Sequence, residues 1–423
     1  MESYGKILLI AMPIFLLLVL FEKWVGWRKG NDTVNWMDMI SSLSSGITNV
    51  TKDVLGLSIG IISYHWMLAH FALTNVSNGW ITYFIAFLAL DFSGYWVHRI
   101  QHEYNIFWNA HIVHHSSEEY NLACALRQSI SVFIRLFTFF LLPAALLGVS
   151  EKVIAITAPI HLFAQFWYHT RHIQKMGFLE KIIVTPSHHR VHHAINPEYI
   201  DKNYSQIFII WDKLFGTFQE EKNAIPAVYG ITRPVSTWNP IKINFQHMIL
   251  LVQDAWNTKK IKDKCKIWFM PTGWRPEDVR EKYPIQKIED VYHFNKYQTI
   301  DTASIKIWST IQILATLLLI SYLFGNIAYI QQLSTSYIFL YGLFIFIKVY
   351  AYTDLMDLNF SGWWIEVVNH TAAILFIVKT GDWFGIDQQF NTKISSYLIV
   401  YFILSSCITF LIYHSNKSKS SSI

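Results

Sequence analysis

Charge is the scarcest thing in this sequence. Asp, Glu, Lys and Arg make up 15% of 423 residues, where a soluble domain carries about 25%. That shortfall excludes an ordinary, fully hydrated surface and points to a chain that meets lipid. Cysteine is nearly absent: Cys124, Cys265 and Cys407 are odd in number and far apart. They exclude a disulfide framework and a CxxC metal pair, so any metal is held through nitrogen or oxygen. The formal charge of +5 is small and dispersed. No basic stripe interleaved with aromatics is present to follow a phosphate backbone, which excludes nucleic acid as a partner. There is no internal repeat, and no sustained two-residue alternation of the kind a membrane barrel needs.

Long apolar runs are abundant. A helix needs roughly 20 apolar residues to cross the hydrocarbon core. Runs of suitable character lie near 7–22, 54–73, 80–97, 130–148, 152–168, 305–325, 334–351, 364–379 and 395–413. The first lacks a strongly basic start and a small-residue cleavage site, so it reads as a retained membrane helix. Between about 169 and 303 charges, prolines and glycines return, as in PTGWRPEDVREKYP. The expected fold is all-α, a polytopic integral membrane protein with a polar insertion capping the cytosolic side. Its expected division is N-terminal membrane helices over 1–84, a catalytic unit over 85–235, a polar segment over 236–303, C-terminal membrane helices over 304–415 and a disordered tail over 416–423. Interfacial belts account for much of the 17 Trp.

Histidine breaks the blandness. Twelve of 18 lie between His98 and His193, in three clusters: His98 and His102, followed by Glu103; His111, His114 and His115; and His188, His189, His192 and His193. Spacings of i,i+4 and i,i+3,i+4 share one helix face, so each cluster can aim two or three imidazoles at one point. Neutral imidazole suits Zn, Fe, Cu and Ni. Eight are too many for one ion, since a tetrahedral zinc takes four; two ions with open positions fit better, and the count does not choose the metal. Asp91, Tyr95, His98 and His102 fall on one helical stripe leading out of an apolar run, which brings the site to the membrane interface. His169 is a candidate ninth ligand. His161 and His172 rank below it, and His188 reads as a neighbour of the ligands. His65, His70, His247, His293, His370 and His414 read as ordinary structural or surface histidines. Glu103, Asp91, Glu118, Glu119 and Asp212 are candidate carboxylates for orienting a ligand imidazole, with Glu103 and Asp91 placed in the catalytic set. Asn121, Arg127 and Gln128 are expected at the mouth of the site, where Arg127 offers a guanidinium to a lipid phosphate.

The order HxxxH, HxxHH, HxxHH on a polytopic chain resembles the fatty acid hydroxylase and sterol desaturase superfamily. DFSGYWVHRIQHEYNIFWNAHIVHHSSEEYNLACALRQS, QFWYHT, TPSHHRVHH and IDKNYSQIFIIWDKLFGTF are similar to stretches of its alkylglycerol monooxygenase family, over about residues 85–235. The resemblance implies a di-iron centre on His98, His102, His111, His114, His115, His189, His192 and His193, with His169 similar to a further family histidine. It implies hydroxylation, with O2, of the carbon beside the ether oxygen of an alkylglycerol, and tetrahydrobiopterin as reductant. The compartment depends on the source: a eukaryotic chain suggests the endoplasmic reticulum and a bacterial one the cytoplasmic membrane. The histidine set alone leaves open an acyl or sterol hydroxylase or desaturase of the same superfamily, a zinc hydrolase, or a non-catalytic metal-binding membrane protein.

Overall fold

A computed structural model describes residues 2–76, 79–300 and 302–420. The helices that build the fold are α1 (Glu2–Arg28), α2 (Trp36–Val54), α3 (Trp80–Glu103), α4 (Asn105–His115), α5 (Glu151–Phe163), α6 (Pro186–His192), α7 (Pro240–Asn257), α8 (Ile261–Lys266), α9 (Ala303–Gly325), α10 (Thr335–Met356), α11 (Phe360–Thr380) and α12 (Ile394–Ser420). Six of them, α1, α3 and α9 to α12, are long and apolar enough to cross a membrane. The protein is therefore an all-α polytopic membrane protein, as its apolar runs lead one to expect.

Three of the nine expected spans are corrected. The run at 54–73 breaks into the two-residue strand Ile59–Gly60 and the short helix Tyr64–Phe71. The run at 130–148 holds a strand at Ile134–Arg135 that pairs in parallel with the first, then two short turns of helix. The run at 152–168 becomes α5, whose 13 residues rise about 20 Å and fall short of a bilayer core of about 30 Å. Breakers explain the interruptions: Gly56 and Gly148 adopt positive φ, and Pro143 restarts a helix. At the C-terminus helix continues through Ser420, so residues 416–420 of the expected tail are helical; 421–423 lie outside the described residues.

Helix α2 is a further difference. Asn35 caps it by accepting from the backbone N–H groups of Met37 and Asp38. Its buried face is a row of hydroxyls, including Ser41, Ser42, Ser44, Ser45, Thr48 and Thr51. Ser44 and Thr51 donate back to the carbonyls of Ile40 and Ile47, and Ser44 meets the Tyr352 hydroxyl at 2.5 Å. Low hydropathy hides such a helix from a search for apolar runs, although it is among the most buried in the fold.

Cross-helix contacts fix which ends lie together. Trp36 donates to Thr310 at the start of α9, whereas Gly5 lies against Phe324 at its end. Tyr341 reaches the Leu319 carbonyl and Lys348 reaches Gln312, so α10 runs antiparallel to α9. Thr302 bonds Asn416, and Phe360 stacks near Tyr413. The C-terminal ends of α1, α10 and α12 therefore gather with the N-terminal ends of α9 and α11. Glu22, near the end of α1, accepts from Thr170 and the Leu122 N–H, which joins the bundle to the histidine-bearing part at that same end. Lys242 pairs with Asp354, and Thr237, Trp238 and Tyr297 donate to Asp357. These two aspartates, at the end of α10, clasp the polar segment to the bundle.

Candidate metal centre

Helix α3 ends with His98 and His102 one turn apart on its buried stripe. After a one-residue break at Tyr104, α4 carries His111, His114 and His115. His169 follows α5, and α6 with its cap residue supplies His189, His192 and His193. Pro186 starts α6, and Thr185 with His188 forms a capping box around its first turn. Capping thereby rigidifies a seven-residue helix made mostly of polar side chains.

The nine imidazoles divide into two groups, and ligand atoms within each lie within 4.8 Å of one another. His98, His102, His111, His115 and His192 form the first; His114, His169, His189 and His193 form the second. The division corrects the expectation that each cluster aims at one point. In both HxxHH motifs the i,i+4 pair faces one centre, and the remaining histidine turns about 100° to the other, as the helical repeat requires. His115 and His193, one from each group, stack with ring centroids 4.3 Å apart. The two centres thus share a wall.

The nitrogens inside each group are close. His98 Nε2 is 2.8 Å from His111 Nε2. His169 Nε2 is 2.9 Å from His189 Nε2 and 3.4 Å from His114 Nε2, and His193 Nε2 is 3.1 Å from His189 Nε2. Metal–nitrogen bonds of about 2.0–2.1 Å give nitrogen–nitrogen edges of about 3.0–3.4 Å around an ion. In the first group the Nε2 atoms of His102, His115 and His192 are buried with no partner among the described residues. Each such atom costs about 1–3 kcal/mol when left unsatisfied; three at one point are accounted for by a shared cation. Burial, reinforced by neighbouring imidazoles, keeps His111, His114, His115, His189, His192 and His193 well below the usual histidine range. Burial also brings His169 down to about 4. All seven stay neutral, the form that binds metal. The donor set therefore fits two metal ions.

The outward nitrogens are held mainly by backbone. His98 Nδ1 donates to the Tyr204 carbonyl at 2.7 Å and His192 Nδ1 to the Lys202 carbonyl at 2.9 Å. His102 Nδ1 lies 3.4 Å from the Asp201 carboxylate. His114 Nδ1 uses the Arg127 carbonyl, and His169 Nδ1 the Gln165 and Phe166 carbonyls. A strap at 201–204 thus orients three of the five imidazoles in the first group. Asp201 was missed by the sequence reading. Its only signal is its place in the IDKNY run, where Asp201 and Asn203 both take positive φ.

None of the five expected carboxylates bonds one of the nine imidazoles among the described residues. Asp91 accepts from the backbone of Ile207 and Phe208, from Trp211 Nε1 and from His161 Nε2; its bonds anchor the strap's continuation and reach none of the nine imidazoles. Glu103 pairs with Arg99 at 2.7 Å. Asp212 accepts from Tyr204 N–H, Ser205 N–H and the Thr217 hydroxyl. Glu119 pairs with Arg171 and Lys296, and Glu118 accepts from the Tyr297 N–H. Arg127 is corrected from a headgroup ligand to a buried partner of Asp38, with further bonds to Ser42 and Ser116. Asn121 bonds backbone at Thr33, Ala123 and Cys124, and Gln128 reaches the Ala125 carbonyl from an exposed position. His172 meets Thr33, and His188 serves the α6 cap beside Phe218. Neither belongs to a group.

A cavity of about 230 Å³ reaches the first centre, with His102, His115 and His192 in its wall. Trp108, Ile112, Ile231 and Leu251 make it largely apolar, and Arg233 and Lys287 stand in its lining. Neither of those two cations has a carboxylate partner among the described residues. Its volume is below the range of about 300–1,000 Å³ that encloses a drug-sized molecule, so it admits one end of a long ligand.

The model for fatty acid hydroxylases matches residues 83–217. The alkylglycerol monooxygenase of Homo sapiens is 37% identical over 333 residues, covering 77% of this chain and 72% of that protein. That of Danio rerio is 39% identical over 282 residues, covering 66% and 62% respectively. An ornithine lipid hydroxylase of Rhizobium tropici is 28% identical over 146 residues, covering 34% of this chain and 44% of the relative. No solved structure matches the chain at a significant level.

Proposed function

The chain belongs to the alkylglycerol monooxygenase family, and from that membership we propose that it cleaves the ether bond of an alkylglycerol by O2-dependent hydroxylation of the carbon beside the ether oxygen. The observation that carries this is the pair of histidine groups, five and four strong, opening on an apolar cavity. Iron is the metal we assign, because imidazole ligands suit it and the relatives named here are oxygenases by name. Two irons held by these imidazoles would supply O2 activation, with two electrons from a reductant, for insertion of one oxygen atom into a C–H bond. The second oxygen atom leaves as water. The hydroxylated carbon then carries both OH and OR, a hemiacetal, which collapses to a fatty aldehyde and a free glycerol hydroxyl. Tetrahydrobiopterin as electron donor rests on the family resemblance.

The residues of this chain bind, orient and exclude water. Trp108, Ile112, Ile231 and Leu251 surround the ether end, and the rest of the alkyl chain stays outside the small cavity. Arg233 and Lys287 offer their N–H groups to oxygens of the glycerol end. The 201–204 strap holds the first-centre imidazoles in register, and Asp91 is a positioning residue that anchors the strap's continuation. Glu103, part-exposed one residue beyond His102, is placed to pass protons between solvent and this end of α3. We assign residues 85–235 as the catalytic unit. The histidine end faces the cytosol in this reading: the opposite-end turns at 326–334 and 381–393 hold one lysine, Lys393, and no arginine, as the positive-inside rule requires.

The test is anaerobic reconstitution with ferrous iron, metal counting, and a tetrahydrobiopterin- and O2-dependent aldehyde assay on an alkylglycerol in detergent. About two irons per chain with aldehyde release is expected, and substitution of His98→Ala or His192→Ala abolishes release. Two irons with a stable alcohol product would move the assignment to acyl or sterol hydroxylation. Tight zinc without oxygen consumption would overturn the chemistry, and full activity in both variants would overturn the site.

A further inference from the structure

Helix α7 walls the cavity with one face and leaves the other bare. Its inward residues Ile243, His247 and Leu251 are buried. On the outward stripe Ile249, Val252 and Trp256 follow at helical spacing, and all three are exposed, Trp256 by 82%. The bare stripe continues past the helix: Ile261 in α8 is 76% exposed and Phe269 is 61% exposed. Large apolar side chains in such a row seldom face water without a partner.

Two observations say what covers them. The stripe runs into the bundle, where Ile241 and Phe245 of α7 line an apolar hollow with Phe346, Ile347 and Tyr350 of α10 and Ile365 of α11. The outward face of α7 is thus continuous with the surface of two membrane-spanning helices. The stripe is also fringed with positive charge. Between Trp256 and Trp268 there are five lysines, Lys259, Lys260, Lys262, Lys264 and Lys266, against one acidic residue, Asp263. Lys266 pairs with Asp263 and Lys260 lies 3.7 Å from Glu277; Lys259 and Lys262 are exposed and have no carboxylate partner among the described residues. Apolar side chains beside unpaired lysines suit the boundary between acyl chains and anionic headgroups.

We propose that the α7–α8 arm, residues 249–269, lies in the surface of the bilayer, with Trp256, Ile261 and Phe269 among the acyl chains and Lys259 and Lys262 on anionic headgroups. The occupant of the bare face is the lipid bilayer that holds the six spans. Since the inward face of α7 lines the cavity, and Thr272, Gly273 and Trp274 just beyond Phe269 line it too, the arm sets the cavity at headgroup depth. A membrane lipid then reaches it sideways, without leaving the bilayer. This placement does not depend on which reaction the site performs.

The experiment is spin-label depth measurement on the full chain in lipid nanodiscs, without turnover. In a Cys265→Ser, Cys407→Ser background, labels are placed at Trp256→Cys, Ile261→Cys and, as an exposed control, Glu289→Cys. Labels at 256 and 261 are expected to collide with O2 more than with a water-soluble nickel chelate, and the label at 289 to show the reverse. A label at 256 as accessible to the chelate as that at 289 would overturn the proposal and leave the stripe for a soluble protein partner. In discs of anionic lipid, Lys259→Gln with Lys262→Gln should move the 256 label outward. An unchanged depth would remove the headgroup part. With the ether-lipid assay in hand, the same pair raises KM roughly fivefold to thirtyfold for substrate presented in an anionic bilayer, the scale of one to two headgroup contacts, and leaves KM in detergent unchanged.

Discussion

His169 and His172 stand three residues apart and meet different fates. His169 is buried among His114, His189 and His193, whereas His172 is half-buried beside Thr33. His169→Ala is expected to lose one of two metal equivalents and to lower activity by at least about a hundredfold, since even an outer-shell change costs 10–100-fold. His172→Ala should leave metal content unchanged, as metal analysis of the two proteins would decide. His247 gives a pH test outside the metal groups. Its Nε2–H donates to the Asn105 carbonyl, and burial brings it down to about 4, against about 6.5 in an unfolded chain. As pH falls below 6.5 the unfolded chain takes the proton first, so stability is lost between pH 6.5 and 4 and is unaffected above that window. The loss amounts to ~3 kcal/mol, and His247→Gln should flatten the denaturation-versus-pH curve there by up to that amount. At this scale the histidines that gather into the two groups were readable, because their close spacing sets them apart from the scattered ones. Their orienting partners were not, because the carbonyls of Lys202, Tyr204 and Arg127 carry no side-chain signature.

At the scale of elements the strap after α6 matters most. Asp91 on α3 and Asp212 between them hold the N–H groups of Tyr204, Ser205, Ile207 and Phe208. Asp91→Ala leaves buried donors unpaired and should cost about 3–5 kcal/mol. The strap carrying the Tyr204 carbonyl then loosens, and the first centre should release metal more readily than the second. Equal affinity at both centres, by titration of the apo variant, would refute this coupling. Sequence periodicity placed Asp91 on the same stripe as His98 and His102, which is correct, but a stripe says nothing of what packs against it seven residues upstream. Helix α2 went unseen for a related reason: hydropathy measures side chains, and its burial is achieved through hydroxyls that satisfy one another and the backbone.

Over the whole molecule the six spans were read from their apolar runs, and three further runs were overcounted, two where glycine or proline cut them and one whose helix is too short to cross. The C-terminal bundle carries a polar chain that no run could show. Buried Lys348 donates to Gln312 and Tyr401; Gln312 donates to Ser405, and Ser405 to Glu366. These groups come from α9, α10, α11 and α12, so one network pins all four helices. Lys348→Met removes the donor to Gln312 and Tyr401 from this network and should lower the melting temperature in detergent, whereas Lys379→Met, at the exposed end of α11, should not. Finally, the shared wall between the centres has a consequence for assembly. His114 and His115 are neighbours on one helix, as are His192 and His193 across the end of another, yet each neighbour belongs to a different group. Freezing either centre restricts the rotamers of the other, so the entropy of ordering falls largely on the first ion to arrive. Loading of the unsubstituted chain should therefore be cooperative, with chains holding no metal ion or two in excess over those holding one. Native mass spectrometry of half-loaded protein would reveal this as a depleted one-metal peak, and a statistical distribution of species would exclude it.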